Sequence, residues 1–112
     1  MSRDEATVLD ILRAARLAAR FQGDLDRAGF LQDLKTQSSV IHQLLVIGEA
    51  VKRLSEQFRA NHPEVPGSTM AGMRDVLVHS YDKVDLAEVW KAVAVEIPRV
   101  IALLERIAPP ES

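Results

Sequence analysis

The chain has no cysteine. That excludes a disulfide framework and any thiolate zinc site, and it makes a reducing cytoplasm the natural setting. It has no long apolar run: no stretch approaches a bilayer span. The opening residues, Met1-Ser2-Arg3-Asp4-Glu5, are polar and acidic, so neither export nor membrane insertion is expected. Its five glycines are scattered and build no phosphate-cradling loop. There is no Glu-x-x-His pair for a di-iron bundle and no His-Glu-x-x-His helix for zinc, so no metal and no cofactor are expected. An excess of positive charge is also missing. A formal net charge of −2 argues against a dedicated duplex binder, although a local basic patch can still serve RNA.

What is present is ordinary globular material. With 112 residues, 47% apolar and 27% charged, the chain is long enough for one buried core and too short for two. No stretch alternates with period two, and the apolar residues recur at helical spacing throughout. Ser2 and Glu5 have the spacing of a capping box ahead of a stripe formed by Val8, Ile11, Leu12, Ala15, Ala18 and Ala19. Gly23 is a natural stop. A short second helix is predicted around Asp26 to Leu34, offering Phe30 and Leu31 to the core.

A long third helix is predicted from about Thr36 to Ala60, with Val40, Leu44, Ile47, Val51, Leu54 and Phe58 as a bundle seam. Asn61-His62-Pro63 and Pro66-Gly67 close it. A short fourth helix follows from about Ser68 to His79, turning Met70, Met73, Val76 and Leu77 inward. Asp85 and Glu88 open a fifth, with Leu86, Val89, Trp90, Val93, Ile97, Val100, Ile101 and Leu104 apolar and a kink expected at Pro98. The expected architecture is all-α: an up-down bundle of about five helices in one domain, residues 1–108, with 109–112 as a frayed tail.

Chemistry concentrates in Met73-Arg74-Asp75-Val76-Leu77-Val78-His79-Ser80-Tyr81. An imidazole titrating near neutrality moves protons at pH 7, and a guanidinium fork fits phosphate oxygens. RNA supplies its own nucleophile in the 2′-hydroxyl, so a proton shuttle and an anion stabiliser suffice without a metal. The competing reading is a solvated helix end whose cations suit the helix dipole. Residues five apart lie roughly 140° apart on a helix, so Arg74 and His79 do not share a face by default, whereas Asp75 and His79 do. A long side chain, an irregular turn or a second subunit must join the first pair.

Arg74, His79 and Tyr81 stand as R-x-x-x-x-H-x-Y, which resembles the signature of HEPN ribonucleases. Leu34-Lys35-Thr36-Gln37, Val46-Ile47-Gly48-Glu49-Ala50-Val51-Lys52-Arg53-Leu54, His62-Pro63-Glu64-Val65-Pro66 and Val84-Asp85-Leu86-Ala87-Glu88-Val89-Trp90 follow the order found in HepT-type toxins. The likeness runs from Leu12 to Leu104. It implies a cytoplasmic homodimeric endoribonuclease that cleaves single-stranded RNA without a metal. Arg74 and His79 would be the catalytic pair, facing their counterparts across the dimer. It also implies an MNT nucleotidyltransferase antitoxin as partner, able to transfer AMP to Tyr81.

Two departures stand out: no tryptophan follows Pro66, and His42 occupies a position where such toxins often carry arginine. Asp75 is a candidate to orient His79, and Glu49 to orient Arg74, unless Glu49 is simply a solvated charge. Lys52 and Arg53 either extend an RNA surface or are a plain surface pair. Trp90 fits the core or a dimer interface. His42 and His62 fit surface or capping positions. Two readings outside catalysis remain open: a helical adaptor that binds the nucleotidyltransferase and accepts AMP, and a dimerisation module without chemistry.

Overall fold

The computed structural model describes residues 2–65, 67, 70 and 85–110. Among these residues every regular element is helical. Helix α1 spans Arg3–Gln22. The Ser2 hydroxyl accepts the Glu5 N–H at 3.1 Å, as the cap spacing requires. Val8, Ile11, Leu12, Ala15 and Ala18 of the predicted stripe are buried and Ala19 partly so, and Ala14, Ala15 and Ala18 leave a smooth face for close helix packing. The helix stops at Gly23, whose φ of 56° is a conformation most side chains avoid.

Helix α2 is shorter than expected, Arg27–Phe30, and α3 already begins at Leu34. Two caps explain the difference. Asp26 accepts the Gly29 N–H at 2.8 Å and Asp33 accepts the Thr36 N–H at 3.1 Å, which leaves room for one turn between them. Phe30 is fully buried. The Gln37 side-chain amide donates to its carbonyl at 2.9 Å, so this buried glutamine is satisfied.

The predicted long third helix is in fact two. Helix α3 runs Leu34–Val51 and α4 runs Glu56–Asn61. Ser55 causes the break. Its hydroxyl caps α4 by accepting the Phe58 N–H at 3.0 Å, and that role demands extended rather than helical backbone at Ser55. The apolar seam survives the break, since Val40, Leu44, Ile47, Val51 and Leu54 are all buried.

Asp85 opens α5, Leu86–Lys91, accepting the N–H groups of Ala87 and Glu88. The helix continues through a widened turn at Ala92–Glu96 into α6, Ile97–Ile107. In that turn the Ile97 N–H bonds the Ala92 carbonyl, five residues back. The kink expected at Pro98 is thus met by a wider turn just before it, which makes room for a ring that would clash with the preceding turn.

Helix α1 packs most extensively on α3 and next on α6. Its start lies beside the end of α3, where Asp4 meets Ser55, and beside the end of α6, where Val8 and Ile107 share a cleft. Helices α3 and α6 therefore both run antiparallel to α1 around one core.

Candidate active site

Arg74, Asp75, His79 and Tyr81 lie outside the described residues, as do Ser80, Met73, Val76 and Leu77 and most of the expected Ser68–His79 helix. The residues on either side are placed. Gly67 sits beside Val51 at the end of α3, where a Cβ added to it would be 3.7 Å from the Val51 side chain. Met70 is buried in the core. After the segment, Asp85 caps α5 and Trp90, half-buried, rests its ring 5.6 Å from that of Phe30. Trp90 thus packs against the core and keeps part of its ring at the surface.

The other sequence-selected residues spread over α3 and α4. His42 and Glu49 are exposed and seven residues apart on α3, which puts them on one face two turns apart. Lys52 and Arg53 are exposed beyond its end, and Arg53 reaches the Asp10 carboxylate of α1 at 3.7 Å. Both partners are about half exposed, so the pair contributes little to stability. His62 is the capping residue at the end of α4. Its N–H bonds the Phe58 carbonyl at 2.9 Å and its Nδ1 lies 3.4 Å from Glu64. Among the described residues no three His, Asp or Glu side chains gather closely enough to hold a metal ion. No described helix is long and apolar enough to cross a membrane.

Sequence reading missed Asp4. Its carboxylate accepts the Ser55 N–H at 2.9 Å and the Ser55 hydroxyl at 2.6 Å, tying the start of α1 to the start of α4. The Ser55 hydroxyl, and next the Ser55 N–H, hold the Asp4 carboxyl below the usual carboxylate range; partial burial opposes them and Arg3 adds to them. The one available signal was Ser55 itself, a cap-type residue in the middle of a helical pattern.

An all-helical bundle that brackets an R-x-x-x-x-H-x-Y segment is the architecture of the HEPN class. A sequence model of the ribonuclease HepT-like family matches residues 11–107, and the chain belongs to that family. A protein of Thermococcus cleftensis named probable ribonuclease HepT is 41% identical over 98 residues, which cover 88% of this chain and 89% of that protein. A Methanocaldococcus jannaschii protein, provisionally named an RNase, is 40% identical over 102 residues, 91% of this chain and 84% of its own. Another from Caldanaerobacter subterraneus, named in the same provisional way, is 37% identical over 82 residues, 73% of each chain. No solved structure matches.

Proposed function

We propose that this protein is an endoribonuclease that cleaves single-stranded RNA and serves as the toxin of a pair whose antitoxin is an MNT nucleotidyltransferase. The observation that carries the reading is family membership over residues 11–107, a span that contains the whole Arg74, His79 and Tyr81 set. His79 takes the proton of a ribose 2′-hydroxyl, whose oxygen attacks the adjacent phosphorus. The P–O5′ bond breaks, the 5′-oxygen takes a proton from water as it leaves, and a 2′,3′-cyclic phosphate remains. Arg74 stabilises the charge that grows on the phosphate oxygens. Asp75, one turn before His79, orients the imidazole. Glu49 orients Arg74, and Tyr81 hydrogen-bonds the substrate. A homodimer brings two such segments together and removes the angular mismatch between Arg74 and His79. The step needs no metal.

A positioned acid–base group supplies about 10²–10⁴-fold and a preorganised charge donor about 3 kcal/mol. His79→Ala and Arg74→Ala are each expected to lose at least about a hundredfold in cleavage while retaining wild-type helicity. Cleavage is expected to persist in EDTA. Full activity in His79→Ala protein, or loss with chelator and rescue by Mg²⁺, rejects the mechanism. A net charge of −2 favours one alternative, a non-catalytic adaptor that accepts AMP. Wild-type protein that never cleaves RNA yet still binds the nucleotidyltransferase would support it.

A further inference from the structure

At the end of the bundle where α1 begins and α6 stops, two clefts share one wall. The larger, about 260 Å³, is lined in part by Glu5, Gln57 and Asn61. The smaller, about 190 Å³, is lined in part by Arg59 and Gly67. The shared wall is Phe58 and His62, whose ring centroids lie 4.6 Å apart with planes tilted by 40°. Both rings are half-buried, so each keeps surface open to the clefts.

The ring pair is held before anything binds. Ser55 caps the first turn of α4 through the Phe58 N–H, and Asp4 fixes Ser55 to α1. The His62 N–H closes on the Phe58 carbonyl, and Glu64 faces the imidazole at 3.4 Å. A rigid ring wall gives up little entropy on ligand binding. Each cleft is smaller than the ~300–1,000 Å³ typical of drug-sized ligand sites, which suits one flat ring system at a time.

The charges on the two sides differ. Gln57 and Asn61 offer amide donors and acceptors, and the Glu5 carboxylate accepts hydrogen bonds, as an exocyclic base amine requires. Asp4 and Glu5 together repel phosphate from that side. Across the ridge Arg59, anchored by its bond to the Val51 carbonyl at 2.9 Å, supplies the cation. A ring wall with base-edge partners on one side and a guanidinium on the other matches a nucleotide: base stacked, edge read, phosphate near Arg59.

We propose that the Phe58–His62 ridge is a stacking site for an unpaired RNA nucleobase, with preference for bases that carry an exocyclic amine. The inference rests on the ribonuclease reading and adds a substrate subsite to it. Gly67 lines the smaller cleft, and chain length alone keeps Arg74 within about 25 Å of it, a span that a few nucleotides of one RNA strand can bridge.

The test uses six-nucleotide oligoadenylate with 2′-O-methyl riboses, which cannot supply the nucleophile, so binding is read apart from cleavage. Phe58→Leu keeps apolar bulk and removes the ring; His62→Ala leaves the buried core untouched. Each is expected to weaken binding by about 5- to 150-fold, the effect of losing one stacking platform. A single abasic position in the oligomer is expected to weaken wild-type binding and to change little in the variants, a pattern that a merely structural role would not produce. If Phe58→Leu fails to fold, His62→Ala decides alone. Wild-type affinity in folded His62→Ala protein overturns the site, as does wild-type protein that does not bind the oligomer. Loss of nucleotidyltransferase binding with RNA binding intact also overturns it and makes the ridge a protein contact. Oligomer binding that depends on the ridge, in a protein that does not cut RNA, sustains the site while the ribonuclease reading fails.

Discussion

The Asp4 carboxylate receives both the N–H and the hydroxyl of Ser55, fifty-one positions later in the chain. One residue of α1 thereby holds the cap of α4, and the cap holds the ridge formed by Phe58 and His62. Ser55→Ala removes the cap and is expected to cost about 1 kcal/mol, read from the urea midpoint.

Asp4→Asn is expected to lower stability at pH 7 and to matter less in acid. The Asp4 carboxyl is held below its ordinary value of 3.8, so its contribution is complete above that value and is lost as pH falls through the lower, folded-state pKa. Wild type and Asp4→Asn should converge in thermal midpoint as the pH drops below about 3.8. A gap that widens in acid would contradict the assignment.

Phe30 joins three elements: it ends α2, takes the Gln37 amide of α3 on its carbonyl, and meets the Trp90 ring of α5. Phe30→Ala is expected to cost about 3–5 kcal/mol. Trp90 is the sole tryptophan, so its fluorescence reports the loss directly. A cost below about 1 kcal/mol would mean that the pocket collapses around the smaller side chain.

Phe21, Leu34 and Val95 remain exposed, Leu34 at 77%. With the joint Arg74–His79 site that the mechanism requires, this leads us to expect a homodimer in solution. Sedimentation at micromolar concentration checks it, and a monomer mass would remove the simplest way to complete the site.

Tyr81 follows His79 by two residues, and AMP attached there would set an anion beside Arg74 and compete for the cation that RNA phosphate needs. Co-expression with the cognate nucleotidyltransferase is expected to raise the mass by one or more AMP units and to suppress cleavage, with Tyr81→Phe abolishing the shift. An unchanged shift in Tyr81→Phe protein would place the modification elsewhere, with Ser80 the first position to check.

The buried faces of α1, α3 and α6 were legible in the sequence because apolar spacing reports burial directly: Val8, Ile11, Leu44, Ile97 and Leu104 are all interior. Boundaries were less legible. Ser55 interrupts a seam whose apolar spacing continues from Val51 through Leu54 to Phe58, so periodicity alone could not show the break. Asp33, read as helix interior, is a cap. Both errors share a cause: a side chain that bonds the backbone locally overrides periodicity. The chemistry proposed for Arg74, His79 and Tyr81 falls outside the described residues and rests on the motif and the family. The Asp4–Ser55 tie and the Phe58–His62 pairing were not legible, because each needs the chain to have folded.

The widened turn at Ala92–Glu96 has a consequence for register. Val89, Val93 and Ile97 are spaced by four and then four, a pattern that drifts around an ordinary helix, yet all three are buried. A turn that closes on the fifth residue absorbs that drift, so the helix from Leu86 to Ile107 carries one residue more than a regular helix with the same buried face would need. Val95, exposed in that turn, is the spare. Its deletion, combined with Pro98→Ala, would leave both halves of the helix facing the core as they do now, whereas a deletion one turn earlier or later would rotate one half away from it.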